Sequence, residues 1–226
     1  MIKINYMKII LKEGLVGPVS RSIRRLASPK RKLKKKILFL VEGKTEKNII
    51  FHLFDQNDYP NISFSVEEYQ GGGYVDIKNW IAKRRDSLDI VLVICDLDRA
   101  QQDTERRSLI TTIKFLENEN IRNNIFLSYP NFEQWLLRGL PGSNNRPLYL
   151  RLGYANETEQ KADVHLFAKY TGAGGSFSAS KEYFSGRSLF YMKKDFSKEK
   201  FQEEYVNAEQ SSLYYLKDYL DLLNGA

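Results

Sequence analysis

Short, wholly apolar runs separated by amphipathic stretches constrain this chain more than any other feature. Val91-Leu92-Val93-Ile94-Cys95 has no polar position, and neither does Ile37-Leu38-Phe39-Leu40-Val41. A strand without a polar side has to be covered on both faces, as in a parallel sheet between layers of helix. Ile62, Phe64 and Val66 alternate within 61–69, and 124–129 forms a fourth run. Between them lie stretches with helical spacing: Ile49, Ile50, Leu53 and Phe54 within 45–54; Ile77, Trp80 and Ile81 within 75–85; Leu109, Ile113 and Leu116 within 103–118. The order predicts β-α-β-α-β-α-β, an α/β fold whose mostly parallel sheet is flanked by helices.

The rhythm changes after Pro130. A short helix is expected over 132–137, a loop over 141–147, a helix over 163–170 and one long helix over 197–223. The expected organisation is a basic N-terminal arm (1–36), an α/β core (37–130) and a helical C-terminal part packed on that core (131–226). A chain of 226 residues is long enough for one sizeable core with an appendage.

Charge divides the chain at the same place. Residues 1–36 carry 12 Lys and Arg against a single Glu, while 37–226 carry 23 bases against 27 acids. Arg24, Arg25, Lys30, Arg31, Lys32, Lys34, Lys35 and Lys36 are dense enough to hold a polyanion such as nucleic acid, and they read equally well as a solvated arm. No apolar stretch approaches the roughly 18 residues of a membrane helix. Met1–Val16 is broken by Lys3, Lys8, Lys12 and Glu13 with no cleavage site after it, so no signal peptide is expected. The single Cys95 cannot form an internal disulfide, which suits a reducing cytoplasm.

Acids stand at the ends of the apolar runs. Glu42 follows the first, with Gly43 beside it and Glu46 four residues on; Asp96 and Asp98 follow the third. In extended backbone Asp96 and Asp98 point the same way. Parallel strands bring their C-terminal ends to one edge, where α/β folds place their chemistry. Carboxylates gathered there repel one another unless a cation lies among them, and an all-oxygen set without sulfur or imidazole suits Mg²⁺ or Mn²⁺. Glu133 lies in an apolar cluster with Phe132, Trp135, Leu136 and Leu137, facing either solvent or the acids. Lys44 is placed to assist at a phosphate, or to be a plain surface lysine. His52 and His165 read as structural.

Glu42-Gly43 with Asp96-Leu97-Asp98 resembles the Toprim domain shared by topoisomerases, primases and several nucleases. Val41-Glu42-Gly43-Lys44-Thr45-Glu46 is similar to the Glu-Gly-x-Thr-Glu form of RloB-like and OLD-type nucleases. Tyr129-Pro130-Asn131-Phe132-Glu133-Gln134-Trp135-Leu136-Leu137 is similar to the Asn-Pro-x-Phe-Glu-x-Trp-Leu-Leu segment of RloB-like proteins, with Tyr129 where Asn is more frequent. The resemblance spans roughly residues 36–140. It implies a Toprim fold and a metal-dependent endonuclease, a phosphodiester hydrolase of antiphage or abortive-infection defence, typically paired with an ABC- or AAA-type ATPase. Glu42 would then be a general acid/base or metal contact, Glu46, Asp96 and Asp98 Mg²⁺ or Mn²⁺ ligands, and Glu133 a further acid. DNA and structured RNA such as tRNA remain equal substrates at this point, and an oligomer is compatible. Two other readings stand beside the nuclease: an effector held silent by an ATPase, and a catalytically silent nucleic-acid-binding protein.

Overall fold

The computed structural model describes residues 34–54, 59–69, 73–84, 89–118, 124–142, 145–185 and 209–225. Five strands make one sheet in the order β2-β1-β3-β4-β5: β1 (Lys35–Val41), β2 (Ile62–Glu68), β3 (Ile90–Asp96), β4 (Asn124–Tyr129) and β5 (Gln210–Ser211). The first four are mutually parallel, and β5 runs antiparallel on β4. The sheet is flanked by α1 (Lys44–Leu53), α2 (Tyr74–Ala82), α3 (Asp103–Asn118), α4 (Phe132–Arg138), α5 (Leu148–Arg151), α6 (Glu157–Ala162), α7 (Leu166–Gly172), α8 (Phe177–Ser185) and α9 (Leu216–Gly225). The expected α/β architecture with a mostly parallel sheet is what the chain adopts. Among the described residues no helix is long and apolar enough to cross a membrane.

Apolar positions on both sides of the central strands explain the layering. Ile37, Phe39 and Val41 of β1, with Leu92 and Ile94 of β3, join α1, α4 and the C-terminal helices in one core cluster. Leu40, with Val91, Val93 and Cys95, joins α2 and α3 in a second on the opposite face. Alternation along a strand sends neighbours to opposite faces, so a run apolar at every position feeds both layers. Residues from 131 onward share the first cluster with β1 and α1, and β5 extends the sheet itself.

The register aligns Val41 with Glu68 on one side and with Ile94 on the other, so the C-terminal ends of β1, β2 and β3 come level. The chain steps from β1 out to β2, then crosses back to β3 on the other side of β1. The order therefore reverses between β1 and β3, which is where such sheets open a crevice.

The long helix expected over 197–223 is not continuous. Residues 197–208 lie outside the described residues; Gln210–Ser211 is strand, Ser212–Tyr215 a 3-10 turn, and α9 begins only at Leu216. The cause is serine chemistry. Ser212 Oγ accepts from Leu127 N (2.7 Å), Ser211 Oγ lies 2.9 Å from Ser128 Oγ and accepts from Leu213 N (3.2 Å). Hydroxyls that bond backbone in this way compete with helix, and β4 offers an edge to pair with. The helix expected from 163 starts at Leu166, because Asp163 closes a turn by accepting from His165 N (2.7 Å).

Gly139 ends α4 where three segments meet. A Cβ there would press on Tyr170 Oη and Ser180 Oγ and lie 2.5 Å from the Ser176 carbonyl oxygen. Gly139→Ala should therefore cost about 1–3 kcal/mol, the usual range for overpacking. Urea denaturation of the variant checks this; a midpoint equal to that of the parent would show that the α4–α8 junction is loose.

Candidate active site

The crevice between β1 and β3 holds the acids. Glu42 is the first residue past β1, and its Oε2 accepts from Asp96 N at 3.3 Å. Asp96, the last residue of β3, turns its own Oδ1 to Phe132 N (2.8 Å), and its carbonyl accepts from Tyr74 Oη (2.6 Å). Two strand ends and the start of α4 are thereby tied together through carboxylates. Asn131 caps α4 by accepting from Gln134 N (2.9 Å), which sets Glu133 in the first helical turn and turns it to the same cleft. Solvent and the acids were both open to Glu133 from sequence; half-buried, it lines the cleft with the acids.

Glu46 lies in the first turn of α1 and is only 4% exposed. Gly43 caps that helix in extended backbone that any residue could adopt, so its contribution is space. A Cβ at Gly43 would come to 3.0 Å from Glu46 Oε2. Lys44 is exposed at the rim.

Asp98 is reached differently from the expectation. Leu97 is in helical backbone (φ −102°, ψ −1°) and Asp98 opens a 3-10 turn, so the two aspartates do not alternate along an extended strand. Leu97 is fully buried and its N–H donates to the Ser128 carbonyl at 2.8 Å, which bends the chain immediately after β3. Asp98 is exposed, accepts from Arg99 N (2.6 Å) and still borders the cleft.

All five expected acids, Glu42, Glu46, Asp96, Asp98 and Glu133, line one cleft of about 620 Å³. Glu68 and Glu157 add to it, and Lys44, Arg99 and Lys161 supply positive charge. Arg99 Nε stands 3.5 Å from Glu42 Oε1. Glu68 was missed although it closes β2 level with Val41; its alternating strand reads as an edge, and only the register brings its end to this cleft. Arg99 and Glu157 carry no sequence signal for this position.

The crowding shows in the proton affinities. Burial first, and then the charge of Glu133, push the Glu46 carboxyl up to about 8. Asp96 is held well above the ordinary carboxylate range by burial, then by Glu46 and Glu133. Burial also raises Glu42, against a backbone hydrogen bond from Asp96 and the charge of Arg99 that pull it down. Cys95 is fully buried with its thiol pushed up by burial, which leaves it inert.

Among the described residues no three His, Cys, Asp or Glu form a ready-made metal cage. Mg²⁺ does not require one: it keeps several waters and binds through one or two carboxylates plus substrate phosphate. Hard oxygen donors whose charges raise one another's proton affinity fit such an ion.

Other expected positions are dispersed. His52 and His165 are exposed and do not line the cleft. Lys169 pairs with Asp163 (3.1 Å) and Lys181 with Asp218 (2.7 Å). In the turn over 172–176, Gly174 has φ +82° and Gly175 packs against the Tyr170 ring. Of the basic arm, Arg24, Arg25, Lys30, Arg31 and Lys32 lie outside the described residues. Lys34 is exposed, but Lys35 and Lys36 belong to β1 rather than to an arm, and Lys35 Nζ donates to the Leu223 carbonyl at 2.7 Å. No family model, no curated protein and no solved structure matches this chain.

Proposed function

We propose that this protein is a divalent-metal-dependent nuclease that hydrolyses phosphodiester bonds, of the RloB-like Toprim kind that its motifs resemble. One observation carries the reading: acids from two strand ends and two helix starts converge at the β1/β3 crevice, with Glu46 and Asp96 both raised by burial first and then by neighbouring carboxylates. Glu42 and Asp96 are the candidates for direct contact with Mg²⁺ or Mn²⁺, with Glu46, Asp98 and Glu133 around them. When bound, the ion would polarise the phosphate and lower the pKa of an attacking water.

The chain's own residues account for the rest. Lys44, Arg99 and Lys161 at the cleft wall balance charge on the non-bridging oxygens. Water, its proton released to solvent, forms the new P–O bond as the bond to the sugar oxygen breaks. Where Glu42 does not contact the ion, its carboxyl, raised by burial, is suited to hold a proton at Oε and deliver it to the leaving oxygen. A role in antiphage defence beside an ATPase follows from the resemblance and belongs to the same proposal.

The second reading, an effector kept silent until released, rests on Arg99, whose guanidinium already stands against Glu42. Purified protein with Mn²⁺ should cleave DNA or RNA and stop on addition of EDTA, and Mn²⁺-soaked crystals should give an anomalous peak between Glu42 and Asp96. Cleavage indifferent to EDTA, with no peak there, sinks the metal mechanism. A peak without cleavage, with activity regained on adding the neighbouring ATPase, selects the effector reading.

A further inference from the structure

A second groove, of about 550 Å³, runs along the outer side of α1 and is closed opposite by the turn between α6 and α7. Its floor is aromatic. Phe51 keeps 58% of its surface exposed. The Phe51 ring meets His52 edge-on at 5.2 Å, and His52 stacks on Phe167 at 5.5 Å, so the exposed ring stands on a braced support. Asn48 fixes the two walls together, donating to the Val164 carbonyl (2.9 Å) and accepting from Phe167 N (3.1 Å).

The rim is cationic. Lys44, Lys47 and Lys161 border the groove. Among the described residues no acid pairs with Lys44 or Lys47, and Lys161 reaches Glu157 only at 3.9 Å. Asp163 also lines the groove, but its carboxylate is taken by Lys169 (3.1 Å) and Tyr154 Oη (2.8 Å). Lys44 and Lys161 line both this groove and the acidic cleft, so the two are continuous.

An exposed ring with lysines around it matches a planar base joined to phosphate. A base inside a duplex has both faces covered by its neighbours and cannot use the ring. We propose that this groove holds an unpaired nucleotide next to the scissile phosphodiester, so that the substrate is single-stranded or locally melted nucleic acid. The inference rests on the reading of the acidic cleft as the phosphodiester site.

The test is fluorescence anisotropy of the full-length protein in EDTA, where nothing turns over. The probe is a labelled oligonucleotide, alone or annealed to its complement. Wild type should bind the single strand more tightly. Phe51→Ala should weaken single-strand binding about 5- to 150-fold, the effect of losing one base–aromatic stack, and leave duplex binding unchanged. Phe51→Trp should restore it. Phe51 is exposed, so these variants leave the core intact.

Equal affinity of the wild type for single strand and duplex overturns the proposal, as does a Phe51→Ala protein that binds the single strand undiminished. Competition by polyglutamate as effective as by oligonucleotide overturns it too, in favour of a protein-docking face. Absent cleavage with this binding pattern intact counts against the metal mechanism alone.

Discussion

Asp96→Asn is expected to keep the fold and remove metal-dependent cleavage. The side chain that accepts from Phe132 N at 2.8 Å remains, because an amide oxygen can take the place of Oδ1, so the tie between β3 and α4 survives. The negative charge at the centre of the cleft is what is lost. A metal contributes several kcal/mol of charge stabilisation at a phosphoryl oxygen, and each 1.4 kcal/mol is about tenfold, so the rate should fall on the order of a thousandfold or more. Single-turnover cleavage by both proteins, with circular dichroism to verify folding, measures this. A folded Asp96→Asn protein that cleaves at the parental rate would remove Asp96 from the mechanism.

Glu46→Gln should separate stability from activity in opposite directions. The carboxyl titrates near 4.5 in an unfolded chain and near 8 in the folded one, through burial and then the charge of Glu133. Between those values the folded protein holds a proton that the unfolded chain has released. The unfolded state then binds fewer protons, so unfolding becomes easier as pH rises through the window. The stabilisation is fully present below about 4.5 and is lost as pH rises to about 8. At about 1.4 kcal/mol for each pH unit the total is on the order of a few kcal/mol.

Metal-free wild type should therefore melt at progressively lower temperature from mildly acid to mildly alkaline buffer. Glu46→Gln should flatten that slope and be the more stable protein at the alkaline end. A dication favours the ionised form, so stabilisation by Mn²⁺ should grow with pH in the wild type and shrink in the variant. Thermal melts across that range, with EDTA or Mn²⁺, decide it. Parallel wild-type and variant slopes would mean that Glu46 is not the group whose burial matters. The trade-off has a plain cause: charges crowded for a ligand destabilise the protein that waits for it.

Much of this was legible before any coordinates. Val91 to Cys95 and Ile37 to Val41 fill both layers as their composition demands, and 103–118 is the helix its spacing predicts. Acids at strand ends reach one cleft because parallel strands end on one edge. The failures share a mechanism. Leu97 takes helical backbone because its side chain is buried and its N–H finds Ser128, a residue far away in sequence. Ser211 and Ser212 break the expected long helix because β4 is beside them, with Leu127 N donating to the Ser212 hydroxyl and Ser128 Oγ paired with Ser211 Oγ. Glu46 is buried within reach of the charge of Glu133, a residue far away in sequence.

Periodicity and composition act within a few residues, so the sequence by itself determined which segments are strand or helix and which acids terminate them. Strand order, the crevice between β1 and β3, the inward turn of Glu133 and the groove beside Phe51 were decided by tertiary structure alone. Each depends on which segments become neighbours, and that follows from burial summed over the whole chain.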